Sequence, residues 1–252
     1  MIRLLHLSDC HLFAEVNRSG YGQVNPFSSL KSLLKRAFAN QVNHFGVDAI
    51  VVTGDVSGDN SAQSYHHFLS LLARYSPVPF FAIPGNHDDN PYYQEYLGDV
   101  PLAPGKSVAL RNWQIHGLDT RGKGASGKVC SQQLASISDD ITQHSSAFHL
   151  LCLHHHIRPS NSWMDKHALV NPSDLLHWLN TQRLIRGIIH GHVHYPIFDE
   201  LGEEHKVPVF GAPSTCWQWA MTSDFGVSEL TPGGQIITLH DTGAVTRHIE
   251  RL

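Results

Sequence analysis

The chain opens with the stretch IRLLHLSDCH at residues 2–11, an apolar run that ends in an aspartate and a histidine. Residues 2–7 are too few for a helix and are rich in strand formers, so they predict a buried strand. The same pattern returns in AIVVTGD at residues 49–55, where the apolar run ends in Thr53-Gly54-Asp55. Each of these two predicted strands therefore carries a carboxylate at its tip.

Three further apolar runs end in polar residues in the same way. They lie at residues 80–83, 148–153 and 188–189, and they precede Gly85-Asn86-His87-Asp88, His154-His155-His156 and Gly191-His192-Val193-His194, respectively. Between the runs, helices are predicted over residues 28–45, 61–74, 131–144 and 173–181, several with Ser as the N-cap. Strands that alternate with helices predict an α/β fold, in which ligands bind beyond the carboxyl ends of the strands.

The remaining segments read as hairpin or meander strands. They cover residues 107–119, 207–210, 226–230 and 235–239, and Pro and Gly turns separate them. Added to the alternating part, they predict a sandwich of mixed sheets. A length of 252 residues fits one large domain, and we expect residues 1–252 to form a single domain.

Composition narrows the class of function. The net charge is -4 and Lys and Arg form no block, which argues against a nucleic-acid partner because phosphate-backbone binding needs a basic surface. No apolar run approaches the ~20 residues of a membrane span. Cys10, Cys130, Cys152 and Cys216 lack metal or redox spacing, and the first motif at Asp9 leaves no room for a secretory signal. We therefore expect a cytoplasmic protein with reduced thiols and a small-molecule substrate.

The polar residues at the strand ends are metal-ligand types. Singly each motif is weak, because an isolated Asp-x-His is usually a loop cap beside a surface histidine, and Asn86 is an ordinary turn residue. Five such motifs in order, each after a predicted strand, favour a shared metal site. Imidazole, carboxylate and amide ligands without thiolate permit divalent Fe or Mn, which we favour, and also Zn or Co.

This series, D-x-H, G-D, G-N-H-D, H and G-H-x-H over residues 9–194, resembles the calcineurin-like metallophosphoesterase superfamily. A narrower resemblance is to its class III cyclic nucleotide phosphodiesterases. It is carried by DCHLFA at residues 9–14, LHHH at 153–156, SWMDKHAL at 162–169 and PSTC at 213–216. The resemblance implies two mixed β-sheets flanked by helices, with the metal site at the carboxyl ends of the strands.

The resemblance also implies a ligand set for two divalent ions. One ion would be held by Asp9, His11 and His194 and the other by Asn86, His154 and His192, with Asp55 bridging both. His155 and His156 would line the site or pack behind it. The family usually has Pro directly after this histidine cluster, where this chain has Ile157.

The activity implied is hydrolysis of 3′,5′-cyclic AMP to 5′-AMP by a hydroxide that bridges the two ions. Asp55 would act through this bridge. His87 lies next to a ligand without being one, so it is our candidate for the acid that protonates the leaving group. Substrate contacts are expected from His11, Asp55, Asn86, His87, His155 and His194.

Alternatives remain open at this point. Other small diesters, such as glycerophosphodiesters or 2′,3′-cyclic nucleotides, suit the same ions, and a noncatalytic nucleotide sensor would also use them. Protein phosphatases of the superfamily carry Arg before the G-N-H block, where this chain has Pro84. Trp163, Trp217 and Trp219 could stack on a base, although large aromatics more often pack in cores. Monomer and homodimer are not distinguished.

Overall fold

Two β-sheets form the centre of the protein in the computed structural model, which describes residues 1–38, 43–100, 102 and 106–252. The strands are β1 (Ile2–Leu7), β2 (Ala49–Thr53), β3 (Phe80–Ile83), β4 (Ser107–Leu110), β5 (Trp113–Gly117), β6 (Phe148–Cys152), β7 (Ile185–His190), β8 (Phe198–Leu201), β9 (Val207–Gly211), β10 (Gly233–Leu239) and β11 (Val245–Arg251). The helices are α1 (Pro26–Phe38), α2 (Ala62–Tyr75), α3 (Pro91–Leu97), α4 (Ser131–Gln143) and α5 (Pro172–Thr181).

Both sheets are mixed, as predicted. The first has the order β11-β10-β1-β2-β3, in which β1, β2 and β3 are parallel and β10 and β11 antiparallel. The second has the order β4-β5-β6-β7-β9-β8, with four parallel central strands and an antiparallel strand at each edge. The parallel strands of the two sheets carry the residues of the expected metal site at their carboxyl ends.

Apolar side chains cover both faces of the parallel strands. One core lies between the sheets and joins Leu4 and Val51 of the first sheet to Ile115, Leu150 and Ile189 of the second. A second core packs α1, α2 and α3 against the outer face of the first sheet, and a third packs α4 and α5 against the second. Burial on both faces explains why these strands read as continuous apolar runs. The predicted sandwich flanked by helices is confirmed.

The four predicted helices begin within two residues of the expected positions, but only one of them has the expected serine cap. Ser61 does cap α2, where its side chain accepts a hydrogen bond from Ser64 N. The other serines do not cap, because Pro26 and Pro172 begin α1 and α5 and Cys130 precedes α4. The helix predicted over residues 28–45 ends at Phe38; positions 39–42 lie outside the described residues, and residues 43–45 are not helical.

The strand predictions hold for the apolar runs and fail for polar ones. Residues 226–230 form no strand, since only Val227 pairs, in an isolated bridge with Trp219. Strands β8 and β11 and the short helix α3 were not predicted. The two strands lie at sheet edges, where one partner suffices and polar residues are tolerated. Within the described residues, no helix combines the length and apolar character that crossing a membrane requires.

Candidate metal centre

The loops that follow β1 and β2 are joined backbone to backbone beneath the site. Asp9 N donates to Gly54 O and His11 N donates to Asp55 O, each at 3.0 Å. Gly54 has a φ of 94°, and a Cβ there would overlap the backbone of Gly85 after β3. Only glycine permits three loops to approach this closely. The motifs therefore meet because their strands are adjacent in the sheet.

Left-handed backbone conformation is concentrated in the site residues. Asp9, His11, Asp55, His192 and His194 have φ values of 55°, 43°, 54°, 70° and 50°, respectively. Each such non-glycine residue costs on the order of 1 kcal/mol and persists only where surrounding contacts hold it. The backbone conformation that turns these five side chains toward one centre therefore lowers the stability of the fold.

Asp9, His11 and His194 form the first of two groups of metal-ligand atoms. One potential ligand atom from each lies within 4.8 Å of the others. His11 Nε2 is 3.1 Å from His194 Nε2, and His194 Nε2 is 3.4 Å from Asp9 Oδ1. Asp9 Oδ1 is buried and accepts no hydrogen bond from any residue that the structure describes. A buried carboxylate oxygen left in this state fits a site for a cation.

The second group is centred on His154. Its Nε2 lies 3.1 Å from Asn86 Oδ1, 3.2 Å from His192 Nδ1 and 3.4 Å from Asp55 Oδ2. The same Asp55 Oδ2 is 3.6 Å from His11 Nε2 of the first group. One carboxylate therefore stands between two clusters of nitrogen and oxygen atoms.

Three of the histidines are oriented by backbone carbonyls. Because a carbonyl can only accept, the nitrogen bonded to it carries the proton, and the other nitrogen presents a lone pair to the centre. The bonds run from His154 Nδ1 to Thr53 O (2.6 Å), from His192 Nε2 to His167 O (3.1 Å) and from His194 Nδ1 to Trp217 O (2.9 Å). The tautomers are thus set for metal binding by the fold.

The electrostatics favour neutral imidazoles around ionised carboxylates. Burial lowers the pKa of His11 to about 3 and that of His192 well below its usual value. Burial alone would raise the pKa of Asp9, but attraction to His194 outweighs it and brings the value to about 2. His154 is the exception, because Asp55 raises its pKa to about 9 against the effect of burial. Without a cation His154 thus carries protons on both nitrogens, and a cation bound at Nε2 would displace one of them.

A chain of hydrogen bonds behind His154 was missed at the sequence level. Gln235 Nε2 donates to His6 Nδ1 (2.8 Å), so His6 Nε2 donates to Thr53 Oγ1 (2.7 Å). Thr53 Oγ1 in turn donates to Ser8 Oγ (2.9 Å). This series of hydrogen bonds fixes the Thr53 peptide, whose carbonyl oxygen accepts a hydrogen bond from His154 Nδ1. The available signal was His6, a polar residue within the apolar run of β1.

Asp88 is a second support that sequence reasoning passed over. It is fully buried and accepts hydrogen bonds from the backbone of Val56 (3.2 Å), Ser57 (3.3 Å) and Gly85 (3.0 Å) and from Tyr65 Oη (2.7 Å). Burial, with repulsion from Asp55 next, raises its pKa. Asp88 ties the loop after β2 to the loop after β3, and so fixes the spacing of Asp55 and Asn86.

The remaining predicted residues lie around the two groups. His87 is exposed; its ring centroid is 4.7 Å from that of His11, and its backbone N donates to Asp55 Oδ1 at 2.8 Å. His155 is buried; its Nδ1 lies 2.8 Å from Thr120 Oγ1, and its Nε2 has no hydrogen-bond partner among the described residues. His156 packs behind the site, with its ring stacked on that of His192.

A cavity of about 620 Å³ opens beside His11 and His87. We call it the aromatic pocket; its wall includes Phe13, Arg18, Tyr21, Trp163, Trp217, Trp219 and Phe225. The ring of Trp217 stacks on His11 with centroids 5.2 Å apart, and that of Trp219 stacks on His194 at 4.9 Å. The tryptophans suggested by the sequence thus lie at the site, together with Tyr21, Phe225 and Arg18, which were not suggested.

Comparison with known proteins agrees with this geometry. The model of the calcineurin-like phosphoesterase family matches residues 2–196. The whole chain aligns with 90% of two proteins named 3′,5′-cyclic adenosine monophosphate phosphodiesterase CpdA, at 34% identity for that of Pseudomonas aeruginosa and 31% for that of Haemophilus influenzae. In fold, the chain is similar to a dimetal phosphatase from Danio rerio, with a TM-score of 0.69 at 13% identity over 99% of this chain and 96% of that one.

Proposed function

The chain belongs to the calcineurin-like phosphoesterase family, and from this premise we propose that it is a metal-dependent phosphodiesterase that hydrolyses 3′,5′-cyclic AMP to 5′-AMP. The observation that carries the proposal is the position of Asp55 Oδ2, 3.6 Å from His11 Nε2 and 3.4 Å from His154 Nε2. One carboxylate that joins two ligand clusters is the arrangement that a two-metal hydrolase requires. The choice of 3′,5′-cyclic AMP as substrate is supported by the names of the relatives that align with the whole of this chain.

The residues at this centre fit two divalent cations. Asp9, His11 and His194 would hold the first and Asn86, His154 and His192 the second, with Asp55 shared. The unpaired Asp9 Oδ1 and the neutral imidazoles around it are the donor set that such ions take. When bound, the two cations supply a hydroxide nucleophile near neutral pH and neutralise the charge that develops on the phosphate oxygens.

His87 would protonate the leaving oxygen. Conversion of the 3′,5′-cyclic diester to 5′-AMP breaks the bond between phosphorus and O3′, so O3′ must gain a proton. The His87 imidazole lies within 4.8 Å of ligand atoms of His11 and Asp55, yet its side chain is exposed toward the aromatic pocket. A group so placed reaches both the phosphate and the sugar side of a substrate.

Further contacts would position the phosphate. His11, Asp55, Asn86 and His194 would contact it as well as the ions, and His155 offers a buried Nε2 that forms no hydrogen bond with the residues described in the structure. His155 Nδ1 meets the hydroxyl of Thr120, which can either donate or accept, so the His155 ring can present a proton to a phosphate oxygen.

We also propose that residues 1–252 act as one domain, since a single core joins the two sheets.

The experiment is a substrate panel on protein whose metal content has been measured. The panel contains 3′,5′-cyclic AMP, 2′,3′-cyclic AMP, glycerophosphoethanolamine and 5′-AMP. We expect 3′,5′-cyclic AMP to give the highest kcat/KM and 5′-AMP to be released as product. A higher kcat/KM for glycerophosphoethanolamine would replace the proposal with a broader diesterase. Stoichiometric nucleotide binding without turnover in Mn²⁺ or Fe²⁺ would replace it with a sensor.

A further inference from the structure

We propose that the aromatic pocket is a nucleobase subsite selective for purines, and that its outer wall of Tyr21, Trp163 and Phe225 forms the base platform. This rests on the proposed function for the identity of the nucleotide. It also assigns a different role to Trp217 and Trp219, which support the histidines of the metal centre. The pocket therefore has an inner wall that serves the ligands and an outer wall that serves the substrate.

The inner wall has no free ring face to offer. Trp217 is 4% exposed, and its ring stacks on His11 with an interplanar angle of 24°. Gly20 closes on the same indole, since a Cβ at Gly20 would overlap the six-membered ring of Trp217. Trp219 is stacked on His194 at 22°. These two side chains are packed against metal-ligand residues, so a base cannot insert there without displacing the histidines.

Two of the three outer-wall rings are exposed, and the third, that of Trp163, is partly buried. Tyr21 and Phe225 are 52% and 54% exposed, and their ring centroids lie 5.6 Å apart on the same cavity. The ring of Trp163 lies 5.0 Å from that of Phe225. Exposed aromatic rings that converge beside a polar centre mark a ligand surface. Stacking on such rings is the usual way in which proteins hold a base.

The size and position of the pocket fit one nucleoside. Its volume of about 620 Å³ lies within the roughly 300–1,000 Å³ of small-molecule sites. Because His11 and His87 line the same cavity, a phosphate held at the metal centre directs its sugar and base into the pocket. The rings of Tyr21 and Trp163 stand edge-on to that of Phe225, so a base stacks on one ring while the others contact its edges. The larger purine makes more of these contacts than a pyrimidine does.

The charge of the pocket disfavours the cationic headgroups of other natural diesters. Among its lining residues in the described parts of the chain, none is acidic. Arg18 lies over the ring of Phe13 at 4.1 Å, and Lys166 lies over the ring of Trp163 at 5.4 Å. These two cations would repel a choline-like headgroup, whereas an uncharged base tolerates them and can accept hydrogen bonds from Arg18.

The test uses two outer-wall variants, Tyr21→Ala and Trp163→Ala, with Phe198→Ala as the matched control. Phe198 is 55% exposed, like Tyr21, but it lines a different cavity. Each protein is assayed with 3′,5′-cyclic AMP and with the base-free 3′,5′-cyclic phosphate of 1-deoxyribose. We expect the outer-wall variants to raise KM for cyclic AMP about 5- to 100-fold with little change in kcat, and to leave the base-free substrate unaffected. Equal losses on both substrates would overturn the base platform.

Binding of products separates this proposal from the proposed function. By calorimetry on the metal-loaded protein, 5′-AMP should bind more tightly than 5′-CMP, and both more tightly than ribose 5-phosphate. The outer-wall variants should lose the preference for 5′-AMP, and Phe198→Ala should keep it. If the wild-type protein binds 5′-AMP and ribose 5-phosphate equally, the base subsite is refuted whatever the rate on cyclic AMP. If it prefers 5′-AMP but does not hydrolyse cyclic AMP, the subsite stands and the proposed function fails.

Discussion

Buried neutral histidines outside the ligand groups should make the metal-free protein sensitive to acid. Burial, with repulsion from His190, lowers the pKa of His6 in β1 to about 3. Burial, with repulsion from His149, lowers that of His116 in β5 to about 4. In the unfolded chain both return to about 6.5. The unfolded state then binds more protons below that pH, so stability is present above it and is lost as the pH falls toward the folded values.

The size of the loss follows from the two pKa values. Between about pH 7.5 and about pH 5, each histidine that stays neutral in the fold and charges on unfolding costs about 2 kcal/mol. His6 and His116 together should remove about 4 kcal/mol from the free energy of unfolding, a large part of the roughly 5–15 kcal/mol of a typical domain.

Urea unfolding of chelator-treated protein at these two pH values measures the loss. His116→Gln should reduce the difference between them by about 2 kcal/mol, because one titrating group is gone. His248→Gln is the control, since that side chain is 72% exposed on β11. The same pH dependence in wild type and His116→Gln would refute the reasoning, because it would mean that His116 gains its proton in the folded state as readily as in the unfolded one.

Three further substitutions test individual residues of the site. His87→Ala should reduce kcat on a diester with an alkoxide leaving group about 100-fold or more, and far less on one with a nitrophenolate leaving group; equal losses would contradict its role as acid. Asp88→Asn places an amide among four donors, so it should lower the free energy of unfolding by about 2–4 kcal/mol in urea and weaken metal binding in a chelator competition. Trp217→Ala removes the ring stacked on His11, and should lower kcat on the base-free substrate as well as on cyclic AMP, unlike Trp163→Ala.

The sequence was sufficient for those parts of the fold whose burial is two-sided. Strands β1, β2, β3, β6 and β7 can be recognised in the sequence as apolar runs. Because adjacent parallel strands bring their carboxyl ends together, the ligand residues that follow them converge as expected. Edge strands β8 and β11 carry charged residues because only part of each strand is buried. Such strands give no apolar run by which to recognise them.

The supports of the site depend on residues far apart in the chain. Gln235 reaches His6 across 229 positions, and Asp88 accepts hydrogen bonds from Val56 and Ser57 in a loop 32 and 31 residues upstream. A sequence pattern contains residue types and their spacing along the chain. These hydrogen-bond partners, however, depend on the pairing of β10 with β1 and on the contacts between the loops. The aromatic pocket also depends on residues far apart in the chain, since Tyr21 and Phe225 come into contact only after folding.

Metal titration of the chelated protein tests the central claim most directly, that Asp55 joins two metal sites that hydrolyse 3′,5′-cyclic AMP. Bound Mn²⁺ and the rate of cyclic AMP hydrolysis are measured on the same samples. We predict two ions per chain, with activity that rises only as the second binds, and loss of both the second ion and the activity in Asp55→Asn. Full activity with one ion per chain, or two bound ions without hydrolysis, would contradict the account.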